Sequence, residues 1–220
     1  GTANVDAHVA VPAVGIRGEG QVLFIMGTSL CQMAICDRSV KIPGINGSIH
    51  GGILPGCYGV EAGQSAVGDI YDWFVSRCVP ADYARQARAA GESLFDCVAR
   101  RAAAVRPGAS GLLALDWWNG NRSLLVDSEL TGMIMGLTLT TTPEEIYRAL
   151  IEATAFGARV IVEGMETGCG GRFDVFACGG LSRKSPLVMQ IFSDVLGRRI
   201  SVSAAEQATA LGAAVYGALA

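Results

Sequence analysis

The sequence predicts an α/β domain built on a mixed sheet with helices on both faces, and three observations predict it. Two apolar runs, Gln21 to Met26 (QVLFIM) and Leu30 to Cys36 (LCQMAIC), are separated only by Gly27-Thr28-Ser29, the spacing and turn chemistry of a hairpin. Thr142, Pro143 and Glu145 form a capping box with proline in the first turn, opening a helix that carries Ile146, Leu150, Ala153, Phe156 or Gly157, and Val160 on its apolar face. Beyond that helix, strands and helices alternate, the order that lays parallel strands beside a hairpin.

The elements follow in order. A short helix has its first turn at Ala7 to Ala10 and ends near Gly15, with Asp6 suited to cap it. After the hairpin, a third strand lies near Cys57 to Glu61, giving an antiparallel start. Helices are expected from Ser65 to Ser76 and from Tyr83 to Ala104, the second stopped by Arg106-Pro107-Gly108. Leu112 to Leu115 reads as a buried strand. The capped helix runs from Thr142 to about Glu166, and Phe173 to Cys178 is a strand entering Gly179-Gly180. A helix starts after Ser185-Pro186 and stops at Gly197, and the tail is a strand (Arg199 to Val202) and a helix (Glu206 to Leu219). No repeat or low-complexity linker divides the chain, and its 220 residues suffice for one large domain.

Composition excludes several classes of function. Only 17% of residues are charged and the net charge is −3, so there is no basic footprint for nucleic acid and no polybasic face for a membrane. Ile42 to Val60 lacks Asp, Glu, Lys and Arg, but its glycines and Pro43 and Pro55 break it into turns rather than a membrane span. The 7 cysteines are odd in number and show no C-x-x-C, a pattern that fits reduced core thiols in a cytoplasmic protein better than disulfides or zinc.

Candidate chemistry lies in a few places. Asp6 is a carboxylate among small apolar residues, and Glu61 stands in the nearly charge-free YGVEAGQSAVGD segment. Each is a cap or a solvated strand end if taken alone, and a functional carboxylate if something pairs with it. Gly27-Thr28-Ser29 is a tight turn or a phosphate-facing one. Cys178-Gly179-Gly180-Leu181-Ser182-Arg183-Lys184-Ser185 is more specific, because a strand end, a glycine pair and a capped helix together form a nucleotide-receiving geometry. It is not a Walker A loop, since no glycine precedes Lys184, and no G-x-G-x-x-G occurs. Asp116-Trp117-Trp118-Asn119-Gly120-Asn121-Arg122 flanks a ligand, or its adjacent tryptophans pack an interface. His8 hydrogen-bonds near Asp6 or sits on the helix surface, and neither it nor His50 has the partners of a zinc ligand.

Taken together, these segments resemble the carboxy-terminal half of the FGGY family of carbohydrate kinases. The resemblance is carried by Asp6-Ala7-His8, MGTSLCQM around Thr28, GVEAGQSAVGDIYDWFV, ALDWWNGNRS, ATAFGARVI, CGGLSRKSPLVMQIFSDVLGRRI and EQATALGAAVYGAL. The segments from Gly59 to Val75 and from Asp116 to Ser123 are most similar to the ribulokinase branch of the family. The resemblance implies an actin-like, ribonuclease H-like fold, with residues 1–15 as the end of a connection from an amino-terminal kinase domain and residues 16–220 as the carboxy-terminal one. It implies transfer of the γ-phosphoryl of ATP to a ketopentose, L-ribulose in arabinose catabolism, in a cytoplasmic enzyme. Asp6 matches the general base and Glu61 a position that binds sugar hydroxyls. Gly27 and Thr28 match a phosphate turn, and Gly120, Gly179 and Gly180 match nucleotide-side loops. Ser185, or Lys184 if the loop slips by one, falls where relatives contact the nucleotide. Mg²⁺ ligands are expected on the amino-terminal domain, which is also the expected partner, so no metal ligand is named here and these residues alone are expected to be inactive. A homo-oligomer is compatible with this reading. The rival readings are an actin-like nucleotide-binding or regulatory module without phosphoryl transfer, and an FGGY kinase of xylulose, ribitol or glycerol type.

Overall fold

The computed structural model of the protein describes residues 5–45 and 47–219, so the first four residues of the expected connecting segment lie outside the described residues. The described residues form eight strands: β1 (Gln21–Met26), β2 (Leu30–Cys36), β3 (Ser48–His50), β4 (Tyr58–Gln64), β5 (Leu113–Leu115), β6 (Met133–Met135), β7 (Asp174–Cys178) and β8 (Ile200–Val202). Six of them form one mixed sheet in the order β3-β4-β2-β1-β7-β8. The hairpin is as the sequence predicts: Val22 pairs with Ala34 through to Met26 with Leu30, antiparallel, and Gly27 donates its N–H to the Ser29 carbonyl at 3.0 Å. β4 lies antiparallel to β2, β7 lies parallel to β1, and β8 lies parallel to β7.

The unbroken apolar runs of the hairpin have their physical reason in two cores, one on each face. Val22, Phe24 and Met26 of β1 join the larger core, while Leu23 joins the smaller one with Met33 and Ile35 of β2. α2 (Gly68–Arg77), α4 (Leu94–Ala104), α5 (Pro143–Cys169) and α7 (Pro186–Leu196) contribute to the larger core. α1 (Asp6–Ala13) and α8 (Ala208–Leu219) pack together over the smaller one. α3 (Ala81–Ala90) leans on α4, and α6 (Gly180–Lys184) joins β7 to α7. The α5 capping box is present, with the Thr142 N–H donating to Glu145 Oε2 at 2.7 Å.

Several expectations need correction. The helix expected from Tyr83 to Ala104 is two, because Gly91 takes φ +70° and closes α3, and Ser93 then caps α4 by accepting the Asp96 N–H at 3.1 Å. Leu112 to Leu115 is not a buried strand of the sheet. It supplies β5, which pairs only with β6 among the described residues and leaves Leu113 60% exposed. Phe156 and Val160 lie outside the buried face of α5, each 53% exposed, whereas Leu150 and Ala153 are buried. Asp6 is the first residue of α1 rather than its N-cap, which is Val5. Cys36 and Cys169 are joined by a disulfide, against the expectation of seven reduced thiols; the fold brings the end of β2 and the end of α5 to a Cα separation of 5.8 Å across 133 residues of sequence. The other cysteines, Cys31, Cys57, Cys78, Cys97 and Cys178, are free.

Candidate active site

The turn that closes the hairpin is fastened to the start of α2. Val67 and Asp69 donate their backbone N–H groups to the Thr28 carbonyl at 2.7 and 3.3 Å, and Gly68 donates to the Gly27 carbonyl at 3.2 Å. These bonds consume carbonyls and leave the Thr28 N–H and hydroxyl without a partner among the described residues. Across from this turn, β7 ends at Cys178, and Gly179 with φ +98° swings the chain into α6. Ser185 then caps α7, its Oγ accepting the Val188 N–H at 3.4 Å, with Pro186 in the first turn.

A cavity of about 830 Å³ lies between the two loops and unites Gly27, Thr28, Gly180, Lys184 and Ser185. Backbone donors beside an ammonium suit phosphate oxygens. Phe95, Tyr147 and Leu187 line the same cavity and offer the apolar walls that a planar base needs. Gly68, Asp69 and Asp72 also line it and were missed, because in the sequence they read as an ordinary helix start. Gly179 instead faces a second cavity of about 560 Å³ that shares Gly180 and Lys184 with the first and adds Cys178 and Glu206. Gly120 is not brought to this place. It lines a separate cavity of about 420 Å³ with Gln64, Asp116 and Phe156.

The carboxylates lie on the face covered by α1 and α8. Asp6 is exposed, and its Oδ1 accepts the Ala7 N–H at 2.8 Å, so it relieves one orphan donor of the first turn. Glu61 stands on β4 opposite Met33 of β2, and its Oε2 lies 3.2 Å from His8 Nε2. The other ring nitrogen, Nδ1, is 3.1 Å from the Gly52 carbonyl. His8 is therefore neither surface-exposed nor bonded to Asp6; it is 8% exposed and bound to Glu61. Their hydrogen bond is the main cause that raises the His8 pKa above its ordinary value and lowers that of Glu61, against the opposing effect of burial on both. The contact joins residues 53 apart in sequence, and no local pattern announces it.

The segment after β5 is held by packing and by a buried polar network. Trp118 meets Trp73 at a ring separation of 5.8 Å. Gln64 Nε2 donates to Asp116 Oδ2 and to the Thr154 carbonyl, and burial pushes the Asp116 carboxyl above the usual carboxylate range. Among the described residues, no group of three or more His, Cys, Asp or Glu could hold a metal ion, and no helix is long and apolar enough to cross a membrane.

Residues 22–220 match the model of the FGGY family of carbohydrate kinases, C-terminal domain. The chain belongs to the FGGY family. A ribulokinase of Bacillus licheniformis is 51% identical to it over 218 residues, which is 99% of this chain and 40% of the relative. Among solved structures, a xylulose kinase from Rhodospirillum rubrum superposes with a TM-score of 0.80 at 27% identity, covering 96% of this chain and 41% of that one. A Plasmodium falciparum glycerol kinase with ADP gives 0.76 at 21% identity over 96% and 40% of the two chains, a likeness of fold alone. The chain thus spans about two fifths of the length of the curated relatives it matches. Its fold is the actin-like, ribonuclease H-like one of FGGY sugar kinases.

Proposed function

We propose that the protein carrying this chain transfers the γ-phosphoryl of ATP to a ketopentose, with L-ribulose the acceptor and L-ribulose 5-phosphate the product. The observation that carries the reading is the single cavity that gathers Gly27, Thr28, Gly180, Lys184 and Ser185 from loops far apart in sequence, in a domain 51% identical to a ribulokinase. Relatives support the acceptor class, and the ADP held by the glycerol kinase of the same fold supports the nucleotide.

In this reading the chain contributes three functions. Thr28, through its free N–H and hydroxyl, and Lys184 bind phosphate oxygens and spread the charge that develops during transfer. Asp6, exposed at the start of α1, accepts the proton of the attacking sugar hydroxyl. Glu61 accepts hydrogen bonds from other hydroxyls of the sugar. ATP is a substrate, and Mg²⁺ would neutralise its phosphates; its ligands are assigned to an amino-terminal domain that completes the cleft. The enzyme works in the cytoplasm, as arabinose catabolism requires.

The test is the full-length protein with MgATP and a panel of L-ribulose, xylulose, ribitol and glycerol. The highest kcat/KM is expected with L-ribulose. A different preferred acceptor would reassign it within the family, and nucleotide binding without transfer to any acceptor would favour a regulatory module.

A further inference from the structure

We propose that His8 is the positioning residue of the sugar pocket, a doubly protonated imidazolium that clamps Glu61 Oε2 and thereby leaves Oε1 to receive a sugar hydroxyl. The inference rests on the sugar-binding reading of Glu61 given above. Its core is a matter of hydrogen-bond inventory. The Gly52 carbonyl at Nδ1 and the Glu61 carboxylate at Nε2 are both acceptors, at 3.1 and 3.2 Å. A neutral imidazole has one N–H and would leave one of these contacts lone pair to lone pair, whereas the imidazolium donates to both. Glu61 Oε1 has no partner among the described residues, so the clamp fixes the carboxylate while keeping one oxygen open.

The surroundings reinforce the charge on His8 and supply no competitor for it. Asp6, on its own helix, adds negative potential. From α8 the only titratable side chain is Tyr216, whose hydroxyl donates to the Ile53 carbonyl. β2 offers Cys31 and the disulfide-bonded Cys36. Arg122, whose guanidinium donates to Cys31 Sγ of β2, adds a second positive charge that acts on Glu61. Glu61 is thus held ionised by two cations, one fixed by two hydrogen bonds and one exposed. A carboxylate so oriented binds a hydroxyl without first losing rotamer freedom, so the clamp acts on sugar affinity rather than on the transfer step. Deprotonation of His8 leaves one N–H for two acceptors and removes the charge that strengthens its bond to Glu61, which loosens the clamp and makes sugar affinity fall as pH rises through the His8 pKa.

The experiment uses the full-length protein in two parts. Histidine-selective ¹³C/¹⁵N labelling reports the protonation of His8 against pH; both ring nitrogens are expected to stay protonated beyond the ordinary value of 6.5, and Glu61→Gln is expected to lower that titration. In parallel, KM for L-ribulose is measured from pH 6 to 9 in the wild type, His8→Gln and Glu61→Gln. His8→Gln keeps a neutral donor and is expected to raise the sugar KM by roughly tenfold near neutral pH, the scale of one charge-assisted hydrogen bond, and to flatten its rise with pH. KM for ATP should stay within about twofold. A His8 that titrates as a neutral single tautomer and ignores Glu61→Gln overturns the clamp, and this part needs no folded variant of His8. A sugar KM sensitive to Glu61→Gln but not to His8→Gln also overturns the clamp while the sugar-site reading stands. A titration coupled to Glu61 with neither variant moving the sugar KM overturns the sugar-site reading, and the positioning role with it.

Discussion

Gly68 lies so close to Gly27 that a Cβ built on it would sit 2.4 Å from the Gly27 carbonyl oxygen, the same oxygen that accepts its N–H at 3.2 Å. Any side chain there must push the Thr28 turn away from α2. Gly68→Ala in the full-length protein is therefore expected to raise KM for ATP by about tenfold or more, with a smaller change for the sugar, because the displaced atoms are those proposed to bind phosphate. Unchanged nucleotide kinetics would mean that the Thr28 turn does not touch the nucleotide.

Glu61→Ala removes an acceptor on the other face of the sheet. Loss of a charge-assisted hydrogen bond costs roughly 1.5–3 kcal/mol, which should appear in KM for L-ribulose and not in KM for ATP. An effect confined to ATP would move Glu61 to the nucleotide side.

The His8–Glu61 pair also sets a pH window for stability. His8 is raised from 6.5, so its contribution is complete below that value and is lost as pH rises through the higher folded value. Glu61 is lowered from 4.5, so its contribution is complete above that value and is lost as pH falls through the lower folded value. The destabilisation caused by Glu61→Gln, read as a difference in Tm, should be largest between 4.5 and 6.5 and shrink on both sides. A difference independent of pH would show that the pair is not an ion pair.

Gly157 faces the buried polar network, where a Cβ would lie 2.6 Å from Asp116 Oδ2 and 2.7 Å from Gln64 Nε2. Gly157→Ala is expected to destabilise the protein by about 1–3 kcal/mol in denaturant titration, the range for overpacking a filled site. Because its cavity is separate from the one at Thr28, KM for ATP should not move; a nucleotide effect would bring Gly120 and its loop back to the nucleotide side.

What the sequence revealed and what it hid have physical causes. The hairpin and the Thr142 helix were legible because apolar runs, turn residues and the capping box are all local. The break at Gly91 was hidden because Val98 and Ala102 continue the apolar period of the preceding helix, so a left-handed glycine in an exposed turn looks like one more helical residue. β3 and β6, with 3 residues each, are too short to show a period. Asp6 and Glu61 drew notice as lone charges, but the contact of Glu61 with His8 joins residues 53 apart in sequence and belongs to the tertiary fold. Gly68 and the Cys36–Cys169 bond were invisible for the same reason. Gly120, matched to a nucleotide-side loop by its neighbours in sequence, takes φ +74° in a turn beside Asp127 and Ser128 and lines a cavity separate from that at Thr28, a separation set by the tertiary fold.

Asp6, exposed at the start of α1, is the residue proposed as the base for phosphoryl transfer. Asp6→Asn keeps the shape of the side chain and an oxygen for the Ala7 N–H, so the helix is preserved while the proton acceptor is removed. The direct measurement is turnover of L-ribulose with saturating MgATP by the full-length Asp6→Asn protein, alongside its nucleotide affinity. A fall in kcat of about 10²-fold or more, with nucleotide affinity within a few-fold of wild type, is predicted. Turnover near that of the wild type would contradict the claim and leave Asp6 as a residue that serves only the first turn of its helix.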